Sequence, residues 1–177
     1  MDGRIKITTP LSDCVIRGLS RGDSVSLSGV VFTARDAAHS RLVEMLERRE
    51  AMPFDFEGAA VYYAGPSPAR PGAVTGSIGP TTSGRMDAYS PALIAAGLKV
   101  MIGKGIRNSL VKKAILEHRG IYLAATGGAA ALIARSVKAS EVIAFPELGT
   151  EAIRRLEVED FPAIVAIDSE GNDIYER

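Results

Sequence analysis

Cysteine is nearly absent from this chain, with Cys14 the single example in 177 residues. One thiol cannot form an intramolecular disulfide, nor supply the several ligands of a metal–sulfur cluster from within the chain. Histidine is almost as scarce. His39 and His118 are far apart and lack the spacing of a metal motif, so each is expected as a surface or helix-end residue and no metal site is expected in the chain. An excess of charge of one sign is also missing, because 21 Lys and Arg residues balance 21 Asp and Glu residues. No bulk field attracts nucleic acid or an anionic membrane, and any preference for anions has to be local. No run approaches the roughly 18 uninterrupted apolar residues of a membrane span, and the opening Met1-Asp2-Gly3-Arg4 lacks a signal-peptide core. A cytoplasmic protein without membrane segments is the expectation.

What is present fits one domain over residues 1–177, with 46% hydrophobic residues available for a core. The apolar alternation from Val25 to Phe32 predicts a strand, and the amphipathic pattern from about Asp36 through Leu42, Val43 and Leu46 predicts a helix. Residues 58–63 read as another strand, and the Pro- and Gly-rich residues 64–72 as a loop. Further on, short apolar runs at 100–102 and 121–124 alternate with helical patterns near 109–118 and 128–133, followed by strands at 142–145 and 163–167. This alternation predicts an α/β fold with a parallel layer.

The most distinctive segment is Gly79-Pro80-Thr81-Thr82-Ser83-Gly84-Arg85-Met86-Asp87. It follows the apolar alternation at 73–78 and precedes Met86, Tyr89, Leu93 and Ile94 at helical spacing, so it reads as a strand feeding a helix across a glycine turn. Backbone N–H groups at such a helix start attract an anion, Arg85 adds a planar fork that matches a carboxylate, and Thr82 or Ser83 can cap the helix. The Gly79-x4-Gly84 spacing is like that of a P-loop. Arg85 stands where its lysine belongs, however, and Met86 where its Mg²⁺-binding hydroxyl belongs, which excludes nucleoside triphosphate binding.

Three other junctions carry related chemistry. Lys104 stands between Gly103 and Gly105 at the end of a strand. Arg35 ends the strand that precedes Asp36, which can cap the following helix. At Thr126-Gly127-Gly128, small residues permit either close packing or close approach of a ligand. In open α/β sheets such junctions converge outside the carboxyl ends of the strands. Arg35, Arg85 and Lys104 together would neutralise a small dicarboxylate, and a phosphorylated metabolite would fit the same charges.

These four motifs occur in the same order and at similar spacing in the class I fumarases, and the chain resembles their C-terminal domain or separate β subunit. The resemblance covers nearly the whole chain and extends to the β subunit of L(+)-tartrate dehydratase. It implies a swivelling β/β/α domain, here a single compact unit with a mixed sheet and flanking helices. It also implies an iron–sulfur hydro-lyase whose [4Fe-4S] cluster is bound by a partner α subunit, which agrees with the lone Cys14. The expected assembly is an α–β hetero-oligomer, active only with its α subunit, with a homo-oligomer as the alternative for the isolated chain. By the same resemblance Arg35, Arg85 and Lys104 hold the substrate carboxylates, and the Thr81 hydroxyl takes the proton. Thr82, Ser83, Gly84, Gly103, Gly105, Thr126 and Gly127 would support them. An aliphatic hydroxyl is a poor base near neutral pH, so neutral Lys104 or a residue of the partner are the alternatives. The implied reaction is the reversible hydration of fumarate to (S)-malate. Tartrate dehydration and a non-catalytic module for dicarboxylate or phosphate are the competing readings. The start at Met1 and an end soon after the last strand suggest a free-standing subunit.

Overall fold

The computed structural model describes residues 3–125 and 130–176. Five strands, β1 (Ile5–Thr8), β2 (Ser24–Thr33), β3 (Ala60–Tyr62), β4 (Val100–Gly103) and β5 (Ile121–Ala124), lie side by side in chain order with every neighbour parallel. Two antiparallel strands follow, β6 (Val137–Ala144) and the long β7 (Ile153–Ile167). One end of β7 pairs with β5, and most of its length pairs with β2, from Ser24↔Ile164 to Thr33↔Arg154. The sheet therefore closes on itself through β2, β3, β4, β5 and β7, with β1 and β6 at its margins.

The central strands are apolar on both faces because both faces are covered. Alternate residues point inward. Val31, Tyr62, Ile102, Leu123, Leu156 and Val165 fill the ring's interior with Phe161, and Ile7 of the marginal β1 belongs to the same apolar cluster. Val61, Tyr63, Met101 and Tyr122 point outward, against helices α2 (Asp36–Glu47), α3 (Ser90–Ala95) and α4 (Ser109–His118). Two further short helices are α1 (Asp13–Arg17) and α5 (Ala130–Ser136). For α4 the boundaries follow from local chemistry. Asn108 caps its start by accepting from the Val111 N–H at 2.9 Å, and Arg119 ends it with φ 55°.

An α/β domain with a mixed sheet and flanking helices is what the structure contains, but several local expectations are corrected. Residues 73–78 are not a strand. Prolines at 66, 68 and 71 remove donors nearby, and the segment folds back on residue 67 through a Ser67 N–H to Ser77 carbonyl bond of 3.0 Å. The Gly79 turn is thus entered from a loop, and it leads only to a four-residue 3-10 turn, Ser83–Met86. Thr82 occupies the N-cap position but makes no side-chain capping bond. So short a turn offers no helix dipole for an anion, and binding there depends on side chains. Strand β2 stops at Thr33, which makes Arg35 rather than Asp36 the N-cap residue of α2. His39 is fully buried instead of lying on the surface, on the same face of α2 as Ala38 and Leu42.

Candidate active site

Thr33, Tyr62, Ile102 and Leu123 form one row across β2, β3, β4 and β5. Two residues beyond this row stand Arg35 and Lys104, with Ala64 between them at the end of β3. The turn from Thr81 to Arg85 crosses the same end of the sheet. The Thr81 N–H donates to the Tyr63 carbonyl at 2.6 Å, Thr82 forms a parallel bridge with Lys104, and the Ser83 N–H donates to the Lys104 carbonyl at 2.9 Å. Arg35, Thr81, Arg85 and Lys104 therefore gather at the carboxyl ends of adjacent parallel strands, where open α/β sheets place their ligands.

The approach of the turn explains Gly103. A Cβ there would collide with the Ser83 hydroxyl and come within 2.8 Å of the Tyr63 ring. Gly105 has φ +83° and lets the chain turn after Lys104, while a Cβ at Gly84 would meet nothing within 4 Å. Thr126 and Gly127 lie outside the described residues.

Two of the three cations have protein counter-ions. Arg35 Nη2 is 3.2 Å from Glu151 Oε1, and Arg85 directs Nε and Nη2 at Asp36 Oδ2, 2.8 and 2.6 Å away. Lys104 is exposed, and among the described residues no carboxylate pairs with it. Three cations against two carboxylates leave local positive charge in a chain whose total is zero. Arg35 Nε and Asp36 Oδ1 are buried without partners, so donor and acceptor capacity at this end of the sheet is unspent.

Beneath the turn lies a layer that sequence reading missed. Arg107 is buried, donating from Nε to Asp87 Oδ1 at 2.6 Å and from Nη2 to Ser90 Oγ at 2.7 Å. Burial alone would push its pKa down, and the adjacent Tyr63 and Asp87 outweigh this and hold it above the usual arginine value. His39 also reaches the site from below. Its Nδ1 lies 2.9 Å from the Arg35 carbonyl, which can only accept, so Nδ1 carries the proton. Burial lowers the His39 pKa to about 4, against the opposing pull of that carbonyl, and the ring is neutral at pH 7. The signal for His39 was available in the helical period of α2. For Arg107, a single arginine in a glycine loop gave none.

The sequence pattern of the fumarase C-terminus family matches residues 2–177. The chain belongs to this family. As a fumarase C-terminus domain, it is 40% identical over 98% of its length to "Fumarate hydratase class I, aerobic" of Salmonella typhimurium, covering 31% of that protein. It is 42% identical to "Fumarate hydratase 2" of Leishmania major, over 88% of this chain and 28% of the relative. With the "Putative L(+)-tartrate dehydratase subunit beta" of Methanocaldococcus jannaschii it shares 43% identity over 92% of this chain and 86% of the relative. The chain thus spans about a third of the length of the fumarate hydratases but most of the β subunit.

The resemblance implies an iron–sulfur cluster in the enzyme, and the described residues of this chain offer no ligand set that fits one. Among the described residues no three His, Cys, Asp or Glu side chains gather to hold a metal. Cys14 is exposed on α1, whose Asp13 lies 3.7 Å from Lys99 just before β4, at the opposite end of that strand from Lys104.

Proposed function

We propose that this chain is the β-subunit part of a hydro-lyase that hydrates fumarate reversibly to (S)-malate in the cytoplasm. The gathering of Arg35, Arg85 and Lys104 around Thr81 at one end of the parallel strands carries this reading. Two cations fix the carboxylates of a small diacid, and the remaining positive charge stabilises the negative charge that builds beside the C–H bond as the proton leaves. Thr81 is half-buried beside these cations, and its hydroxyl exchanges that proton with substrate carbon. An α-type partner completes the enzyme as an α–β hetero-oligomer, and the cluster implied by the resemblance belongs to that partner. One feature supports a partner at this end: Ile106 and Leu110, 66% and 63% exposed, leave an apolar rim beside Lys104.

The test is anaerobic co-expression with an α-type partner, followed by a fumarate hydration assay. The complex should be active and the single chain inactive. Hydration by the purified single chain would refute the division of labour. Tight calorimetric binding of a diacid by the chain alone, without activity of the complex, would instead favour a non-catalytic binding module.

The near full-length match to a putative tartrate dehydratase β subunit favours a second reading, in which tartrate is dehydrated. A site that hydrogen-bonds tartrate's extra hydroxyl would reject malate. The ratio of kcat/KM for the two diacids on the complex separates the readings.

A further inference from the structure

The loops that bear Arg85 and Lys104 are tied together from beneath at two points on either side of Arg85. On one side, Ser83 Oγ lies 2.8 Å from Tyr122 Oη, and Tyr122 Oη lies 2.9 Å from the Gly105 carbonyl. The carbonyl can only accept, so Tyr122 donates to Gly105 and Ser83 donates to Tyr122. On the other side, Asp87 Oδ1 accepts from Arg107 Nε at 2.6 Å, and Oδ2 accepts from the Asn108 backbone N–H at 2.7 Å. Residues 83 and 87 bracket Arg85, while residues 105, 107 and 108 follow Lys104 directly.

Arg107 is the centre of this clamp. Its side chain is fully inaccessible and that of Asp87 nearly so. Beyond Asp87, it donates to Ser90 Oγ at 2.7 Å and to Tyr63 Oη at 3.3 Å, and its guanidinium carbon lies 5.2 Å and 5.0 Å from the ring centroids of Tyr63 and Tyr122. Only a planar fork satisfies these directions at once, and a lysine ammonium does not. None of these side chains is expected to touch substrate. Their shared effect is geometric.

We propose, resting on the catalytic reading above, that Arg107 is a positioning residue. Together with Asp87 and Tyr122 it fixes the separation of Arg85 from Lys104, and so sets the length of diacid that the site accepts. Two cations that each hold one carboxylate discriminate chain length only if their spacing is rigid. A misplacement of ~1 Å can cost ~100-fold in rate, so a loosened pair loses the preferred length and gains tolerance of its neighbours.

The experiment measures inhibition of the assembled complex by malonate, succinate and glutarate, against whichever diacid it converts. The parent complex should favour one length by at least about tenfold. Arg107→Lys should shrink that ratio by about tenfold, and Tyr122→Phe, which loses only the hydroxyl bridge, by a few-fold with its melting temperature little changed. A ratio of inhibition constants does not depend on the fraction of protein folded, so a merely structural role would leave it where it was. If Arg107→Lys fails to assemble, Tyr122→Phe decides. Unchanged ratios in the variants that assemble would overturn the inference alone. A parent complex that neither converts nor binds any diacid would overturn the catalytic reading and this inference with it.

Discussion

Replacing Arg85 by lysine separates charge from geometry at the proposed carboxylate contact. In the structure, Nε and Nη2 of Arg85 meet Asp36 Oδ2, which leaves the Nη1–Nη2 edge of the fork for an incoming carboxylate. A lysine keeps the charge but can serve only one of these partners well. Hydrogen bonds to charged groups are worth about 1.5–3 kcal/mol each, so losing one to substrate should lower kcat/KM by roughly 10- to 150-fold. Folding should hardly notice. The side chains of Arg85 and Asp36 are 53% and 30% exposed, and such pairs contribute about 1 kcal/mol or less. The melting temperature should therefore fall by no more than about 2–4 °C. Steady-state kinetics of Arg85→Lys in the complex, beside thermal unfolding of the same preparation, checks both halves. A kcat/KM within threefold of the parent removes Arg85 from the site, and a loss that tracks unfolded protein assigns it to stability instead.

Thr81→Ala should lower kcat while leaving KM nearly unchanged, if its hydroxyl acts only in the transition state; a change confined to KM would make it a binding residue. Gly103→Ala should cost about 1–3 kcal/mol, because the new methyl meets Ser83 and Tyr63, and chemical denaturation measures this. For His39 the folded pKa of about 4 lies below the ordinary value of 6.5, so between these values the unfolded chain binds the extra proton. Stability should consequently fall as pH drops from 6.5 towards 4, by a maximum of roughly 3 kcal/mol from this group. Denaturation midpoints at pH 7 and 4.5 should differ less in His39→Gln than in the parent, and an identical difference would show that the histidine is not the source.

Elements whose boundaries depend on neighbouring residues were legible in the sequence. Helix α4 runs from Ser109 to His118 as expected, since Asn108 caps it and Val111, Ala114 and Ile115 supply its buried face. Strand β5 was equally plain, as a short apolar run preceded by Gly120. The run at 73–78 misled because alternation alone does not make a strand. Among the described residues no neighbouring strand accepts its hydrogen bonds, and its Ser77 carbonyl turns back to residue 67. Closure of the sheet was not legible either, because the β2–β7 register joins residues more than a hundred positions apart. The cations of the candidate site stood out through their flanking glycines. Arg107 did not, since Tyr63, Asp87, Ser90 and Tyr122 come from separate parts of the chain and only the fold brings them to it.

Ring closure also bears on how such a unit can be joined to other polypeptides. The β2–β7 seam uses hydrogen bonds that an open sheet would offer to a neighbour, and it encloses one apolar cluster entirely within this chain. A body that completes its own interior needs no fixed covalent attachment to fold. It can serve as about a third of a long enzyme or as nearly the whole of a short subunit, and its relatives include both arrangements. Gene fusion or fission would then alter the tether and leave the cradle unchanged.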